Sequence, residues 1–262
     1  MSRRVGHRHL NGALSYAQIL KAQSWLVEQK YRTGLKTDVL LTVEHQHPVF
    51  TAGRRLRNQT EEKKRIEQHH AQYYEVQRGG QVTFHGPGQL VGYPILDLRH
   101  FDLTARCYVH TLEKLLIRLC QQYGIEAATS DNVGVWVENE RKIAAIGVHI
   151  AHHMTCHGFA LNCTTDLAWY DLIVPCGITD KGVTSVAEEL RRRALVGKTA
   201  DPQAGAEAAT PPSLAEPHQA DVDAVLPTAV HAFAAEFDCE VAPLQAVDPQ
   251  LDDRLSIFLD NA

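Results

Sequence analysis

Apolar positions recur along this chain with two periods, one typical of amphipathic helices and the other typical of strands. The clearest helical pattern places Tyr108 and four leucines at i, i+4, i+7, i+8 and i+11, and Gly124 follows as a stop signal. Helical spacing of apolar groups predicts another helix over residues 14–28. Residues 57–71 are charged and poorly patterned, which indicates an exposed helix or a solvated loop.

Several shorter segments have the pattern of strands. The run of β-branched residues and leucine over 38–43 is typical of a buried strand. Residues 81–85 and 89–98 predict two strands on either side of a Gly-Pro-Gly turn. Further along, residues 142–150 and 155–163 predict two antiparallel strands. The chain therefore combines short strands with helices.

The composition changes abruptly near Leu195. Residues 196–220 are rich in Ala, Pro, Gly and Gln with few large apolar groups, so they are predicted to be a disordered insertion. Order is predicted to resume at Asp221, where helical spacing indicates a C-terminal helix over 221–240 that packs back on the body. The length of 262 residues and the absence of repeats are consistent with a single domain over residues 1–262.

Charge and composition argue against several classes of function. The net charge of −5, from 26 basic and 31 acidic residues, gives no support for binding nucleic acid or an anionic membrane surface. No apolar run approaches the ~18 residues that a membrane span needs. The charged N-terminus lacks the apolar stretch of a secretory signal. The six cysteines are scattered without disulfide spacing, so we predict reduced thiols and a cytoplasmic location.

Lys142 and Cys176 are two residues that could perform covalent chemistry together. A thiol attacks as its thiolate; a nearby ammonium favours that thiolate, and a neutral lysine could accept the proton. Cys176 lies between Pro175 and Gly177, a setting that suits a thiol presented at a tight turn. The alternative is that Cys176 is a small buried hydrophobe, as free cysteines commonly are.

Histidines offer two further possibilities. His85 and His157 are candidates to pair with Cys176, and each could equally be a hydrogen-bonded structural residue. The histidines and cysteine within residues 152–157 could ligate a metal, but no second Cys/His pair at zinc-ligand spacing accompanies them. We therefore predict no metal site.

Glycines mark places where the chain turns or is approached closely. Gly79-Gly80 matches no nucleotide-binding motif and opens no helix, so a turn is the simpler interpretation. Arg78 beside it could hold an anionic group, because a guanidinium next to approachable backbone suits anions. Gly147 and Gly158 weaken the strands that contain them, which indicates that a ligand or another backbone comes close.

Five motifs together resemble the lipoyl(octanoyl) transferase family, and they occur in that family's order. They are Glu44-His45 with Pro48-Val49-Phe50-Thr51 and Gly53-Arg54; Arg78-Gly79-Gly80-Gln81-Val82-Thr83-Phe84-His85-Gly86-Pro87-Gly88-Gln89; Lys142-Ile143-Ala144-Ala145-Ile146-Gly147; His157-Gly158-Phe159-Ala160-Leu161-Asn162; and Pro175-Cys176-Gly177. They cover most of residues 13–190. The segment 196–220 is longer than the family needs, and it puts no active-site residue in doubt.

The resemblance implies an α/β (α+β) fold of mixed β-sheets with surrounding helices, similar to the biotin/lipoate protein ligase catalytic domain. It implies a cytoplasmic acyltransferase that begins protein lipoylation without a cofactor. The donor would be octanoyl-acyl carrier protein. The acceptor would be a specific lysine of a lipoyl domain, as in 2-oxoacid dehydrogenases and the glycine cleavage H protein.

The resemblance also implies roles for individual residues. Cys176 matches the nucleophile that carries the octanoyl group as a thioester, and Lys142 matches the partner that favours the thiolate and shuttles protons. The residues that match substrate-binding segments are Arg78, Gly79, Gly80, Gln81, Val82, Thr83, Phe84 and His85; Ala145, Ile146 and Gly147; and Gly158, Phe159 and Ala160.

Two other classes of function remain as alternatives. An ATP-dependent lipoate or biotin protein ligase would need no nucleophilic cysteine, so Pro175-Cys176-Gly177 favours the transferase. An inert module that binds acyl carrier protein or lipoyl domains would be free to lose Lys142 or Cys176, so the presence of both argues against it.

Overall fold

The computed structural model describes residues 3–10, 12–55, 60–173, 181–199 and 217–262. Cys176 and the segment around it therefore lie outside the described residues. The strands are β1 (Arg3–Leu10), β2 (Asp38–Val43), β3 (Val49–Ala52), β4 (Gln72–Glu75), β5 (Val82–His85), β6 (Gln89–Ile95), β7 (Ala127–Ala128), β8 (Val135–Val137), β9 (Arg141–Ala151), β10 (Met154–Asn162), β11 (Gly182–Val183) and β12 (Cys239–Pro243). The α-helices are α1 (Tyr16–Thr33), α2 (Thr60–Gln68), α3 (Ala105–Gln122), α4 (Val186–Thr199), α5 (Val222–Glu236), α6 (Leu244–Val247) and α7 (Pro249–Asp260).

The strands form one large and one small mixed sheet. The large sheet has the order β12-β1-β2-β6-β10-β9-β8-β7, with β11 alongside β9. Its β12-β1-β2 edge is parallel, whereas β2-β6-β10-β9 is antiparallel. The small sheet has the order β4-β3-β5. The predicted fold class, mixed sheets with surrounding helices, is confirmed.

Helices cover both faces of the large sheet. One face packs on α3 and α5 around residues such as Leu112, Leu161 and Phe233. The other face packs on α1 and α7 around residues such as Leu26 and Leu41. Because both faces are covered, all six positions of β2 are buried, and its apolar residues do not alternate with polar ones. The small sheet has its own core. Within the described residues, no helix combines the length and apolar character needed to cross a membrane.

Local signals fix where the helices begin and end. Ser15 caps α1 in a reciprocal capping box with Gln18, and Gly34, at φ 69°, ends the helix. The prediction of a helix over 14–28 is thus confirmed, with a longer C-terminal end. Ser185 accepts a hydrogen bond from the N–H of Glu188 and caps α4.

The C-terminal part differs in detail from its sequence pattern. Helix α4 runs on to Thr199 and a short 3-10 helix spans Pro217–Ala220, so both ends of the predicted 196–220 insertion carry helix; residues 200–216 lie outside the described residues. The helix predicted over 221–240 ends at Glu236, because the chain turns at Asp238 with φ 47° and enters β12. Strand β12 then pairs with β1.

Candidate active site

The β9–β10 hairpin supplies the floor of one pocket. In its antiparallel register Gly147 lies opposite Gly158, and Ala145 lies opposite Ala160. The four residues share a face, because side chains alternate along a strand, and all four line the pocket. The empty space of the pocket is about 530 Å³ when the open solvent at its mouth is included. Along this part of the floor, no side chain is larger than a methyl group.

Neighbouring protein atoms explain both floor glycines. A Cβ on Gly158 would stand 2.2 Å from the carbonyl oxygen of Gly92 and 2.6 Å from Cδ of Pro94. A Cβ on Gly147 would stand 2.8 Å from Cδ of Arg78. The expected close approach therefore involves backbone at Gly158 and the Arg78 side chain at Gly147.

A β-bulge turns Lys142 toward the pocket. Val135 pairs with Ala144 while Trp136 pairs with Lys142, so Ile143 is an extra residue on β9. Ile143 and Ala144 both pack in the core on the opposite face of the sheet, and Lys142 lines the pocket. Strict alternation from the pocket floor would instead have directed Lys142 to that opposite face.

The Lys142 side chain is buried and supported along its length. Its Nζ lies 4.6 Å from the centroid of the Trp136 ring, and Nζ of Lys181 lies 5.0 Å from the same ring. Gly134, at φ 123°, leaves room for the lysine stem, because a Cβ there would stand 3.3 Å from Cε of Lys142. The N–H of Thr184 donates to the carbonyl of Lys142 at 2.9 Å. Two cationic side chains beside one indole make this end of the pocket electropositive.

Arg78 forms a rigid, charged wall. The residue is 6% exposed, and its Nε and Nη2 donate to Oγ1 of Thr51 at 3.2 and 2.8 Å. Nη1 donates to the carbonyl of Gly79 at 2.9 Å. The N–H of Gly79 in turn donates to the carbonyl of Val148 on β9. These bonds join the Arg78 loop to the small sheet on one side and to the pocket floor on the other.

Three buried histidines lie in or behind the pocket. Burial lowers the pKa of His45 to about 4, and burial together with Arg78 lowers the pKa of His157 to about 4. Burial, with His45 and Arg78 as further causes, lowers the pKa of His85 well below its usual value. All three rings are therefore neutral at pH 7. Arg78 is a fixed positive charge among neutral donors and acceptors.

Most residues predicted to bind substrate meet in this pocket. Those that line it are Arg78, Gly80, Gln81, Val82, Thr83, His85, Ala145, Ile146, Gly147, Gly158, Phe159 and Ala160, together with Lys142. Gly79 supports Arg78 from behind. Phe84 packs instead against Phe50 and Trp169 in the core of the small sheet, because it alternates with His85 along β5. Cys176 lies outside the described residues.

Sequence reasoning missed four residues of the site. Tyr16, Val91 and Tyr93 line the pocket, and Nε2 of His45 lies 3.0 Å from the hydroxyl of Tyr93 behind it. In the sequence, Tyr16, Val91 and Tyr93 fit only the apolar face of a helix or strand, which predicts packing rather than a place in a site. Stacking of Tyr16 near His85, with ring centroids 6.3 Å apart, depends on α1 crossing the sheet.

The histidines near 152–157 serve the hairpin. His152 and His153 form its turn with φ of 49° and 67°, and only His157 reaches the pocket. Across the described part of the chain, no group of three or more His, Cys, Asp or Glu side chains is placed to hold a metal ion.

Comparison with known proteins places these features in a family. Residues 15–202 match the lipoyl protein ligase A/B catalytic domain. An octanoyl-[acyl-carrier-protein]:protein N-octanoyltransferase LIPT2, mitochondrial, from Danio rerio is 46% identical over 183 residues, which are 69% of this chain and 81% of the relative. The Homo sapiens protein of the same name is 41% identical over 201 residues, covering 73% and 87%. An octanoyltransferase from Solibacter usitatus is 48% identical over 179 residues, covering 67% and 80%.

Solved structures share the fold at much lower sequence identity. A lipoate-protein ligase A bound with ATP superposes with a TM-score of 0.58 at 13% identity, covering 97% of this chain and 96% of the ligase. A bipartite lipoate protein ligase from Thermoplasma acidophilum gives a TM-score of 0.57 at 14% identity, covering 98% and 94%. Identities this low establish the architecture alone.

Proposed function

The chain belongs to the lipoyl protein ligase A/B catalytic-domain family and is an acyltransferase, and from this premise we propose that it transfers an octanoyl group from octanoyl-acyl carrier protein to a lysine of a lipoyl domain. Lipoyl domains of 2-oxoacid dehydrogenases and the glycine cleavage H protein are the proposed acceptors. The observation that carries the proposal is the convergence of buried Lys142 with the small-residue floor in one pocket.

Cys176 is the proposed nucleophile. It lies three positions after Ile173, which packs in the core of the small sheet, and seven before Val183, which pairs with Lys142. The electropositive end of the pocket beside Lys142 would favour the thiolate of Cys176.

The reaction is proposed to proceed in two transfers. In the first, the Cys176 sulfur attacks the donor's thioester carbonyl, the bond from that carbonyl to the carrier's sulfur breaks, and the released thiolate takes a proton through Lys142. In the second, the acceptor amine attacks the Cys176 thioester, an amide forms, and the amine's proton passes through Lys142 as the C–S bond breaks. One thioester replaces another in the first transfer, so that step needs no ATP.

The pocket suits this substrate. Ala145, Gly147, Gly158 and Ala160 leave a smooth apolar floor for an alkyl chain. Backbone N–H groups near Gly147 are proposed to stabilise the tetrahedral oxyanion. We also propose that residues 1–262 act as one catalytic domain, because the C-terminal strand β12 completes the edge of the large sheet.

Intact-protein mass spectrometry tests the reaction. Mixing with octanoyl-acyl carrier protein without ATP should add about 126 Da to the wild type, the mass of an octanoyl group replacing a hydrogen on an activated thiol. The adduct should be labile to hydroxylamine and absent from Cys176→Ser. Cys107→Ser, which removes an exposed free cysteine, is the matched control and should acquire the adduct normally.

Two other outcomes would move the protein to another class. Acylation of a lipoyl domain only with ATP and free octanoic acid would identify a ligase. Binding of carrier protein or lipoyl domain without any acylation would identify an inert module. Lys142→Ala should fold and lose most transfer, whereas Lys36→Ala, at an exposed lysine, should not. The cytoplasmic location stays a prediction, and the animal relatives named above are mitochondrial by name.

A further inference from the structure

A buried hydrogen-bond network leads from the pocket histidine His85 to the strand beside Lys142. Nδ1 of His85 lies 2.8 Å from Oε1 of Gln89. Nε2 of Gln89 donates to Oδ1 of Asn162 at 2.9 Å, and Nδ2 of Asn162 donates to the carbonyl of Thr184 at 3.0 Å. Thr184 is the residue whose N–H donates to the carbonyl of Lys142. Gln89 and Asn162 are 0% and 3% exposed, so water does not compete for these bonds.

Backbone carbonyls fix the orientation of both amides. Nε2 of Gln89 lies 3.2 Å from the carbonyl oxygen of Phe84, and a carbonyl can only accept, so the atom facing it must be the NH₂ group. The carbonyl of Thr184 fixes Asn162 in the same way. The oxygen of Gln89 therefore faces His85. Because an amide oxygen cannot donate, Nδ1 of His85 must carry a proton.

The other ring nitrogen of His85 then has to be an acceptor. The ring is neutral at pH 7, so a proton on Nδ1 leaves Nε2 with its lone pair. Thr51 Oγ1 lies 3.4 Å from this Nε2 and already accepts two bonds from Arg78. The Thr51 hydroxyl proton can thus point at Nε2, but 3.4 Å is long for such a bond. Nε2 is weakly engaged within a pocket that His85 lines.

We propose that Gln89 is a positioning residue that fixes His85 as its Nδ1-protonated tautomer, so that Nε2 accepts a hydrogen bond from an N–H of the substrate. This inference rests on the proposed function for its substrates, which offer two such groups. One is an amide N–H of the carrier's thioester-bearing arm, and the other is the amine of the acceptor lysine.

The surroundings of His85 favour accepting a hydrogen bond over taking a proton. The charged or titratable groups that face its ring are Arg78, His45, His157 and Tyr16. Of these only Arg78 is charged at pH 7, and its positive charge opposes protonation of His85. A neutral acceptor is compatible with this field, whereas an imidazolium is not.

Long-range ¹H–¹⁵N correlation spectra of the full chain test the tautomer directly, without any substrate. The His85 signals are identified by their absence from His85→Gln. The proposal expects a protonated Nδ1 and a bare Nε2 in the wild type, and loss of that preference in Gln89→Met. A bare Nδ1 in the wild type would overturn it. Gln122→Met, at an exposed glutamine, is the matched control.

A pair of His85 variants tests the role of Nε2. In His85→Gln the new side chain places an oxygen near the position of Nε2. In His85→Asn the shorter side chain retains only a group that can hydrogen-bond to Gln89. His85→Asn should slow one half-reaction by about tenfold, the usual effect of one lost hydrogen bond, and His85→Gln should restore most of the rate. Slower acylation of Cys176 would identify the donor's amide as the partner, and slower transfer to the lipoyl domain would identify the lysine amine.

Equal rates for wild type, His85→Asn and His85→Gln in both half-reactions would overturn the role of Nε2. Equally slow His85→Asn and His85→Gln variants would also overturn the role of Nε2, because the rate would then depend only on the packing of His85. His69→Asn, at an exposed histidine, controls for the loss of an imidazole. A wild type that never transfers octanoyl would refute the proposed function instead, while the tautomer result would stand.

Discussion

Replacing Gly158 with alanine should destabilise the protein strongly, although the change adds a single methyl group. The new Cβ would stand 2.2 Å from the carbonyl oxygen of Gly92 and 2.6 Å from Cδ of Pro94. Both neighbours belong to β6, which is hydrogen-bonded to β10 in the centre of the large sheet. The oxygen is a backbone atom and cannot rotate away. Relief therefore requires β6 and β10 to shift relative to each other.

The expected size follows from measured overpacking. Extra methyl groups in well-packed interiors usually cost about 1–3 kcal/mol, and a backbone collision between two central strands should lie at the upper end of that range. For a chain of this size, 1 kcal/mol corresponds to about 2–4 °C in Tm. Gly158→Ala should thus lower Tm by roughly 5–10 °C in thermal melts followed by circular dichroism.

Gly182→Ala is the matched control. Gly182 also lies in a strand, but nothing stands within 4 Å of its Cβ position. Alanine there keeps the N–H that donates to the carbonyl of Glu140 and should leave Tm unchanged or slightly raised. If Gly158→Ala melts within about 1 °C of Gly182→Ala, the close approach of β6 and β10 does not constrain position 158 and the reasoning is wrong.

Two further results are expected. Two buried histidines, His45 and His157, have a pKa of about 4 in the folded state, below the unfolded value of about 6.5. Their contribution to stability is complete above pH 6.5 and is lost as pH falls toward 4, by about 1 kcal/mol per pH unit for each. Urea titrations should show this slope, His45→Gln should flatten it, and His69→Gln, at an exposed site, should not. Asp38→Asn should lower the free energy of unfolding by about 3–5 kcal/mol. Nζ of Lys30 lies 2.7 Å from Oδ1 of Asp38 and would stay buried without its counter-charge. An effect no larger than that of Glu61→Gln, which changes an exposed ion pair, would contradict this explanation.

Local patterns in the sequence were sufficient to predict much of the architecture. The strand predicted over 38–43 is β2, and the helix predicted around Tyr108 is α3. The antiparallel strands predicted over 142–150 and 155–163 are β9 and β10. These elements could be predicted because their apolar spacing repeats over several residues. Strand β1 was missed, since its three arginines and two histidines hide the alternation of a strand.

Motifs in a fixed order also singled out most of the residues that line the candidate pocket, but the sequence could not give their geometry. Lys142 lies on the pocket face only because of the bulge at Ile143, and a bulge depends on how β8 pairs with β9. The neutrality of His45 depends on burial, and that of His85 depends on burial together with His45 and Arg78 nearby, an environment that segments distant in sequence create together. Sequence fixes which groups are present and their local periodicity, whereas the direction, protonation and hydrogen-bond partner of each group are set by contacts between strands far apart in the chain.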